Sequence, residues 1–291
     1  MRQMTSLILK LLFLPALAIP LAAQNSSPGI EWQRGPGVAR LGDQGTIKLP
    51  KGYSFTGPEG TKVFMESNQN FTDGSELGIL IPESRQFFVL FEFDPSGYIR
   101  DDEKASLDAD KILESIRAAT EKSNEKRKER GWGTLTVLGW AQPPHYDEQT
   151  HNLEWCARAK DESGDISANY NTRILGRRGV MSVSLVSDAA NLERDLPVFR
   201  SALTGFDYTS DNRYSEFRAG DKVAEYGLTA LIVGGTAAAA TKLGFFKWAW
   251  KLLLVGWKFV LIGIAALGGL VKKLFSSRSM KTAEGEQGNT P

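Results

Sequence analysis

HNLEWCARAKDESGDISANYNTRILGRRGVMSVSLV, residues 151–186, is the stretch that decides the fold class. In it Leu153, Trp155, Ala157 and Ala159 alternate with Asn152, Glu154, Cys156 and Arg158. One apolar side and one wetter side, alternating residue by residue, describe a strand of an antiparallel sheet. The pattern predicts strands over 151–159, 169–176 and 180–186, with 176–179 as a tight link between the last two. A further strand is expected just upstream, over 133–140. Gln86 to Phe93 (QFFVLFEF) is the most apolar run outside the two ends of the chain and reads as a central strand, closed by the turn residues Asp94-Pro95-Ser96-Gly97. Thr46 to Leu49 and Tyr53 to Phe55 read as two short strands around a hairpin or bend at Pro50 and Gly52.

Two helices punctuate these strands. Ala109, Ile112, Leu113, Ile116 and Thr120 recur at three and four, which predicts a helix over 107–130 with Ser106 as its cap and Gly131 as its stop. Asp108 and Asp110 suit its first turn. A second helix is expected over 188–203, bent or started late by Pro197, followed by a short strand over 206–208. Strands, helix, strands, helix, strand indicate an α+β fold: an antiparallel sheet with packed helices.

The two ends of the chain are different in kind. Arg2 and Lys10 precede an apolar run over 11–21, and Ala22-Ala23 lead into a polar stretch. That order is a signal peptide over 1–23. Residues 226–241 carry no charge, and residues 252–271 carry only Lys258. Either segment, helped by its flanks, could span a bilayer, so one or two spans are expected. Gly234 and Ala238, and Gly235 and Ala239, have the spacing of small residues at helix contacts in lipid. Lys247, Lys251, Lys258 and Lys272 fall within a sector of roughly 60° on one helix and read as membrane-surface lysines. Trp248, Trp250 and Trp257 suit the same interface. Residues 222–291 hold nine Lys and Arg against three Glu, whereas 24–221 hold 24 bases against 31 acids. A basic apolar end on an acidic body fits attachment to a membrane lipid surface. The expected organisation is a signal peptide over 1–23, an α+β domain over 24–221, membrane-associated helices over 222–275 and a disordered tail over 276–291.

Motifs for chemistry are sparse. There is no GxxxxGK[ST] loop and no GxSxG elbow. A single Cys excludes a disulfide framework and a cysteine-rich zinc site. Cys156 on a strand reads as an unreactive thiol rather than a nucleophile. Asp101, Asp102, Glu103, Asp108 and Asp110 lack the spacing of a calcium loop and read as acids at a helix start. The basic run at 122–130 is interleaved with Glu121, Glu125 and Glu129, so it reads as a solvated helix end and no nucleic-acid partner is expected. The segment HYDEQTH, with His145, Asp147, Glu148 and His151, contains donors that can hold a metal, though a self-capped connection explains it as well. No catalytic residue, metal ligand or cofactor is assigned. Tyr146, Asp147, His151 and Arg173 remain as interaction candidates.

Five motifs occur in order: GPGVARLGDQGTIKLPKGYSF, GYIRDDEKASLDADKIL, GWAQPPHYDEQTHNLEW, NYNTRILGRRGVMSVSLV and FRAGDKVAEYGLTALIVGG. Together they resemble domain-of-unknown-function family 2167, bacterial envelope proteins with a membrane-anchored C-terminus. The resemblance runs from about Gly35 to the lysine-rich apolar end, implies a membrane location and a bacterial source, and implies no activity. With the signal peptide and the basic apolar end, the expected location is the bacterial inner membrane with the main domain in the periplasm. A weaker, architectural resemblance to PsbP-like domains rests on Leu49-Pro50-Lys51-Gly52-Tyr53 and on the segment 188–208. The expected function is a non-enzymatic, membrane-anchored module that binds a membrane or envelope protein partner or senses stress. The alternatives are an enzyme or metal-binding protein using the 145–151 loop, and an accessory subunit of a membrane transporter.

Overall fold

The structure, a computed structural model, describes residues 29–83 and 87–233. Eleven strands and four α-helices occur among these residues. The strands are β1 (Gln33–Arg34), β2 (Gly37–Leu41), β3 (Gly45–Leu49), β4 (Tyr53–Thr56), β5 (Glu76–Pro82), β6 (Phe88–Asp94), β7 (Leu135–Asp147), β8 (Asn152–Asp161), β9 (Ile166–Leu175), β10 (Val180–Asp188) and β11 (Phe206–Tyr208). The helices are α1 (Pro58–Ser67), α2 (Ala109–Glu129), α3 (Leu192–Leu203) and α4 (Leu228–Val233). Eight strands form one antiparallel sheet in the order β1-β4-β5-β6-β10-β9-β8-β7, and β11-β3-β2 form a second, three-stranded sheet.

The apolar runs of the central strands exist because this sheet is buried on both faces. On β6, Val89 and Phe91 enter one core while Leu90 enters another. One face carries Phe55, Leu80, Cys156, Tyr170, Met181, Val183 and Leu185, and is covered by Phe199 and Ala202 of α3 and by Ala39, Leu41, Ile47 and Leu49 of the small sheet. The opposite face is covered by helices. Phe64 and Met65 of α1 pack on Ile79, Ile81, Leu90 and Val186. Ile112 and Ile116 of α2, with Leu228, Leu231 and Ile232 of α4, pack with Leu153, Trp155, Ala157 and Ala159.

Several sequence expectations change in detail. The expected strand over 133–140 continues to Asp147. Pro143 and Pro144 do not end it, because β7 is the sheet edge and its register to β8 slips at three places; an edge with bulges tolerates proline. The 46–55 unit is a bend rather than a hairpin: β3 joins the small sheet and β4 the large one. Asp108, not Ser106, caps α2 by accepting the Lys111 amide. The 188–203 helix begins as a 3₁₀ turn at Ala189–Asn191, and Pro197 lies within the first turns of α3. Cys156, expected on the wetter side of its strand, is fully buried.

No helix among the described residues is long and apolar enough to cross a membrane. The expected signal peptide, the segment 252–271, the lysines Lys247, Lys251, Lys258 and Lys272, and the 276–291 tail lie outside the described residues. Of the 226–241 segment only the first part is described. There, Leu228, Leu231 and Ile232 are buried in the helix-covered core, and Ala230 is buried as well.

The chain reaches α4 through a strap, residues 209–227. Arg177, in the β9–β10 turn, holds it with a two-pronged contact to Asp221: Nε donates to Oδ2 at 2.6 Å and Nη2 to Oδ1 at 2.7 Å. Further along, the Tyr98 amide donates to the Lys222 carbonyl and the Ala224 amide to the Tyr98 carbonyl. Arg177 is the first cause that lowers the Asp221 pKa, to about 2. A carboxylate with a depressed folded value adds stability above its unfolded value, and loses it as pH falls through the folded one. The strap is therefore expected to gain amide exchange as pH falls from about 4 to about 2, and D221N should show that gain already at neutral pH. In the sandwich core, Phe199→Ala should lower stability by about 3–5 kcal/mol in urea unfolding.

Candidate functional site

Five strand ends meet at one end of the large sheet: the ends of β6, β7 and β9 and the starts of β8 and β10. The loop 95–108, the turns 148–151 and 176–179, and the strap converge there. A row of rings results. Phe217 lies 4.2 Å from Tyr98, Tyr98 stacks on Tyr214 at 4.5 Å, Tyr214 lies 5.0 Å from His151, and His151 lies 6.5 Å from Tyr146. These rings come from the loop, the 3₁₀ turn Tyr214–Glu216 with its following residue, the β7–β8 turn and β7. Phe217 closes the row at the surface with 39% of its area exposed.

A polar relay runs beneath the rings. Tyr146 Oη donates to Asp101 Oδ2 at 3.0 Å and lies 3.1 Å from His151 Nδ1. With the phenolic proton committed to the carboxylate, the second contact requires the proton on Nδ1, which in a neutral imidazole leaves Nε2 as an acceptor. Burial, then the bond to Asp101, hold the Tyr146 phenol well above the usual tyrosine range. The Tyr214 phenol, which donates to the Ile99 carbonyl at 3.0 Å, is raised as well, chiefly by burial. His151 has φ 56°, left-handed backbone that histidine adopts more readily than most residues. That conformation turns the chain at the β7–β8 connection and aims the ring at Tyr146 and Tyr214.

The sequence candidates separate into two groups. Tyr146 and His151 belong to the relay. Asp147 sits beside them but serves its own turn: Oδ1 accepts the amides of Gln149 and Thr150, which lower its pKa. Arg173 lies on β9 in the cross-strand row Glu92, Ser182, Arg173, Leu153, Tyr146. Leu153 therefore stands between Arg173 and Tyr146 on one face of the sheet. Three of the rings and the relay carboxylate escaped sequence reading. Asp101 was assigned to an acidic helix start, and Tyr98 lies in a loop. Tyr214 and Phe217 lie in NRYSEFR, where two rings three residues apart among charges were the available signal.

Among the described residues no group of three His, Cys, Asp or Glu side chains is placed to hold a metal. His145 is exposed, and Glu148 pairs with Lys104 at 3.2 Å. The Cys156 thiol is buried and pushed up to about 12 by that burial, which keeps it protonated and unreactive.

The family described as "Protein of unknown function (DUF2167)" matches residues 33–268, and the chain belongs to it. No curated protein matches the chain. Among solved structures, cyanobacterial PsbP (CyanoP) from Synechocystis is similar over 63% of this chain and 94% of its own, with 8% identity and a TM-score of 0.36. The Ran-binding protein Mog1p of Saccharomyces cerevisiae is similar over 64% of this chain and 100% of its own, with 9% identity and a TM-score of 0.31. A protein of unknown function and putative regulator from Pseudomonas aeruginosa reaches 11% identity and a TM-score of 0.23 over 57% of this chain and 92% of its own. The weak PsbP-like likeness expected from the sequence is found, at a level that carries no argument about activity.

Removing the Tyr146 hydroxyl strands two partners at once. Tyr146→Phe is expected to cost about 1–3 kcal/mol in urea unfolding. It should also raise amide exchange in both the 95–108 loop and the 148–151 turn, because the relay joins them. Faster exchange in the turn alone would mean that Asp101 contributes nothing to the tie.

Proposed function

We propose that this member of the DUF2167 family is a non-enzymatic, membrane-tethered envelope module that binds a protein partner through the ring-lined end of its large sheet. The observation that carries the reading is the ring row, which runs from Phe217 at the surface through Tyr98 and Tyr214 to His151. Rigid, partly exposed aromatic side chains are the residues that anchor protein interfaces, because they bury much area for few rotatable bonds. The turn below them is held by the relay, and the strap by Arg177, so little ordering cost is left for binding. The tether rests on the sequence: the apolar, lysine-faced residues after 233 and the signal-like start.

A second reading draws on the relay. His151 Nε2, left as an acceptor, is what a general base requires, so an enzyme using the 145–151 loop is the alternative. His151→Ala separates the two: loss of a turnover with partner binding retained favours the enzyme.

Two measurements test the proposal in cells. A photoreactive amino acid at Phe217 should capture a discrete protein that the same group at exposed Val38 or Val63 does not capture. Equal products at all three positions count against the interface. For the tether, Thr150→Cys should react with a membrane-impermeant maleimide in intact spheroplasts, while the buried Cys156 of the parent stays silent. Labelling only after lysis would place the domain in the cytoplasm and remove the envelope assignment.

A further inference from the structure

Arg173 is a half-buried base whose Nη1 has no hydrogen-bond acceptor among the described residues. It projects from β9 onto the helix-covered face, and its Cζ sits 4.7 Å over the Trp155 ring. Nη1 is shielded from solvent and has no partner. No other hydrogen bond from this side chain occurs among the described residues. The polar neighbours on the same face are already engaged with each other: Ser184 Oγ donates to Asn171 Oδ1 at 2.9 Å, and Asn171 Nδ2 donates to the Asn169 carbonyl at 3.0 Å. Asp94 accepts the Tyr226 hydroxyl at 2.6 Å. Glu92 and Asp94 act on the guanidinium through space. Ser182 lies directly across from Arg173 on β10, on the same face, and its hydroxyl makes no hydrogen bond among the described residues.

A guanidinium nitrogen shielded from solvent without an acceptor is costly, and the cost is removed by whatever accepts its proton. Its planar fork matches two oxygens of one oxyanion, and the indole beneath fixes the plane of the fork before any ligand arrives. The adjacent serine hydroxyl supplies a further donor. Glu92 and Asp94 set the charge the ligand can carry: near two carboxylates a dianion is repelled more strongly than a monoanion. We propose that the Arg173 fork, backed by Trp155 and flanked by the Ser182 hydroxyl, is a binding site for the carboxylate of a small monoanionic ligand. This site is independent of the ring row and stands whether or not that surface binds a protein.

The test titrates the purified full chain with acetate, and separately with inorganic phosphate, by isothermal calorimetry. Saturable acetate binding in the millimolar range is expected, with phosphate weaker. Arg173→Met should abolish it. Arg173→Lys, which keeps the charge and loses the fork, should weaken it about tenfold or more. Ser182→Ala should weaken it less. Circular dichroism of each variant checks the fold, and the lysine and alanine variants carry the test should the methionine variant unfold. Absence of saturable acetate binding to the parent chain overturns the proposal, since water would then be the acceptor. So do acetate affinities unchanged in the folded variants, or phosphate binding tighter than acetate.

Discussion

Val89 and Phe91 point into one core of this protein and Leu90, between them on the same strand, into another. That two-sided burial is the constraint from which the rest follows. A sheet without a wet face needs two covers, and the connections must supply them. The chain meets this by placing α1, α2 and α4 on one face, and α3 with the three-stranded sheet on the other. Any polar residue on the central strands is then forced into an interior, where it must find partners within the protein.

The two faces treat this demand differently. On the α3 face, Tyr170 Oη donates to Glu154 Oε2 at 2.5 Å and accepts from Arg200 Nη2 at 2.8 Å. Arg200 also lies over the Tyr170 ring, so a strand tyrosine, a strand glutamate and a helix arginine close a complete network. Burial, opposed by Arg200, holds that phenol up at about 12. On the helix-covered face, Arg173 has a ring beneath it and two carboxylates acting on it through space, yet its Nη1 has no acceptor among the described residues. Burial pushes its guanidinium down to about 10, which still leaves it charged at neutral pH. One face thus uses an exposed helix arginine to close its network, whereas the other leaves Nη1 of its half-buried arginine without an acceptor.

What the sequence disclosed follows the same division. The strands β8 to β10 were legible because small and large apolar residues alternate with polar ones there. The continuation of β7 was not, since Pro143-Pro144 is a stop signal in a central strand and only the edge position cancels it. Helix α1 was hidden by Gly60, which a helix interior disfavours. The reason for the glycine is spatial: a Cβ at that position would fall 2.0 Å from Thr56 Oγ1. Helix α4 was hidden in a segment whose lack of charge looks the same in a protein core as in lipid. Tyr146, His151 and Arg173 were visible as unusual residue types on or beside strands. Asp101, Tyr98, Tyr214 and Phe217 were not, because the relay ties Asp101 to a tyrosine 45 residues away and the ring row joins still more distant segments, which only the topology brings together.

That topology also sets how far the two candidate sites can influence each other. Arg173 and Tyr146 share a cross-strand row with Leu153 between them. Two interstrand steps put them about 10 Å apart, too far for a hydrogen bond and beyond the reach of a neutral phenol's field. Leu153 is fully buried and contacts belong to the same apolar cluster as Trp155 and Tyr146. Any influence of a ligand at Arg173 on the ring row must therefore pass through packing: a shift of Trp155, transmitted by Leu153, to the phenol that ties Asp101 to His151. Packed interiors transmit such shifts poorly unless an element has two arrangements available. The Tyr146 relay has only weak alternatives, because releasing either hydrogen bond leaves a half-buried group unpaired. The two sites are thus adjacent on one sheet face but energetically separate, and each can be altered without dismantling the other.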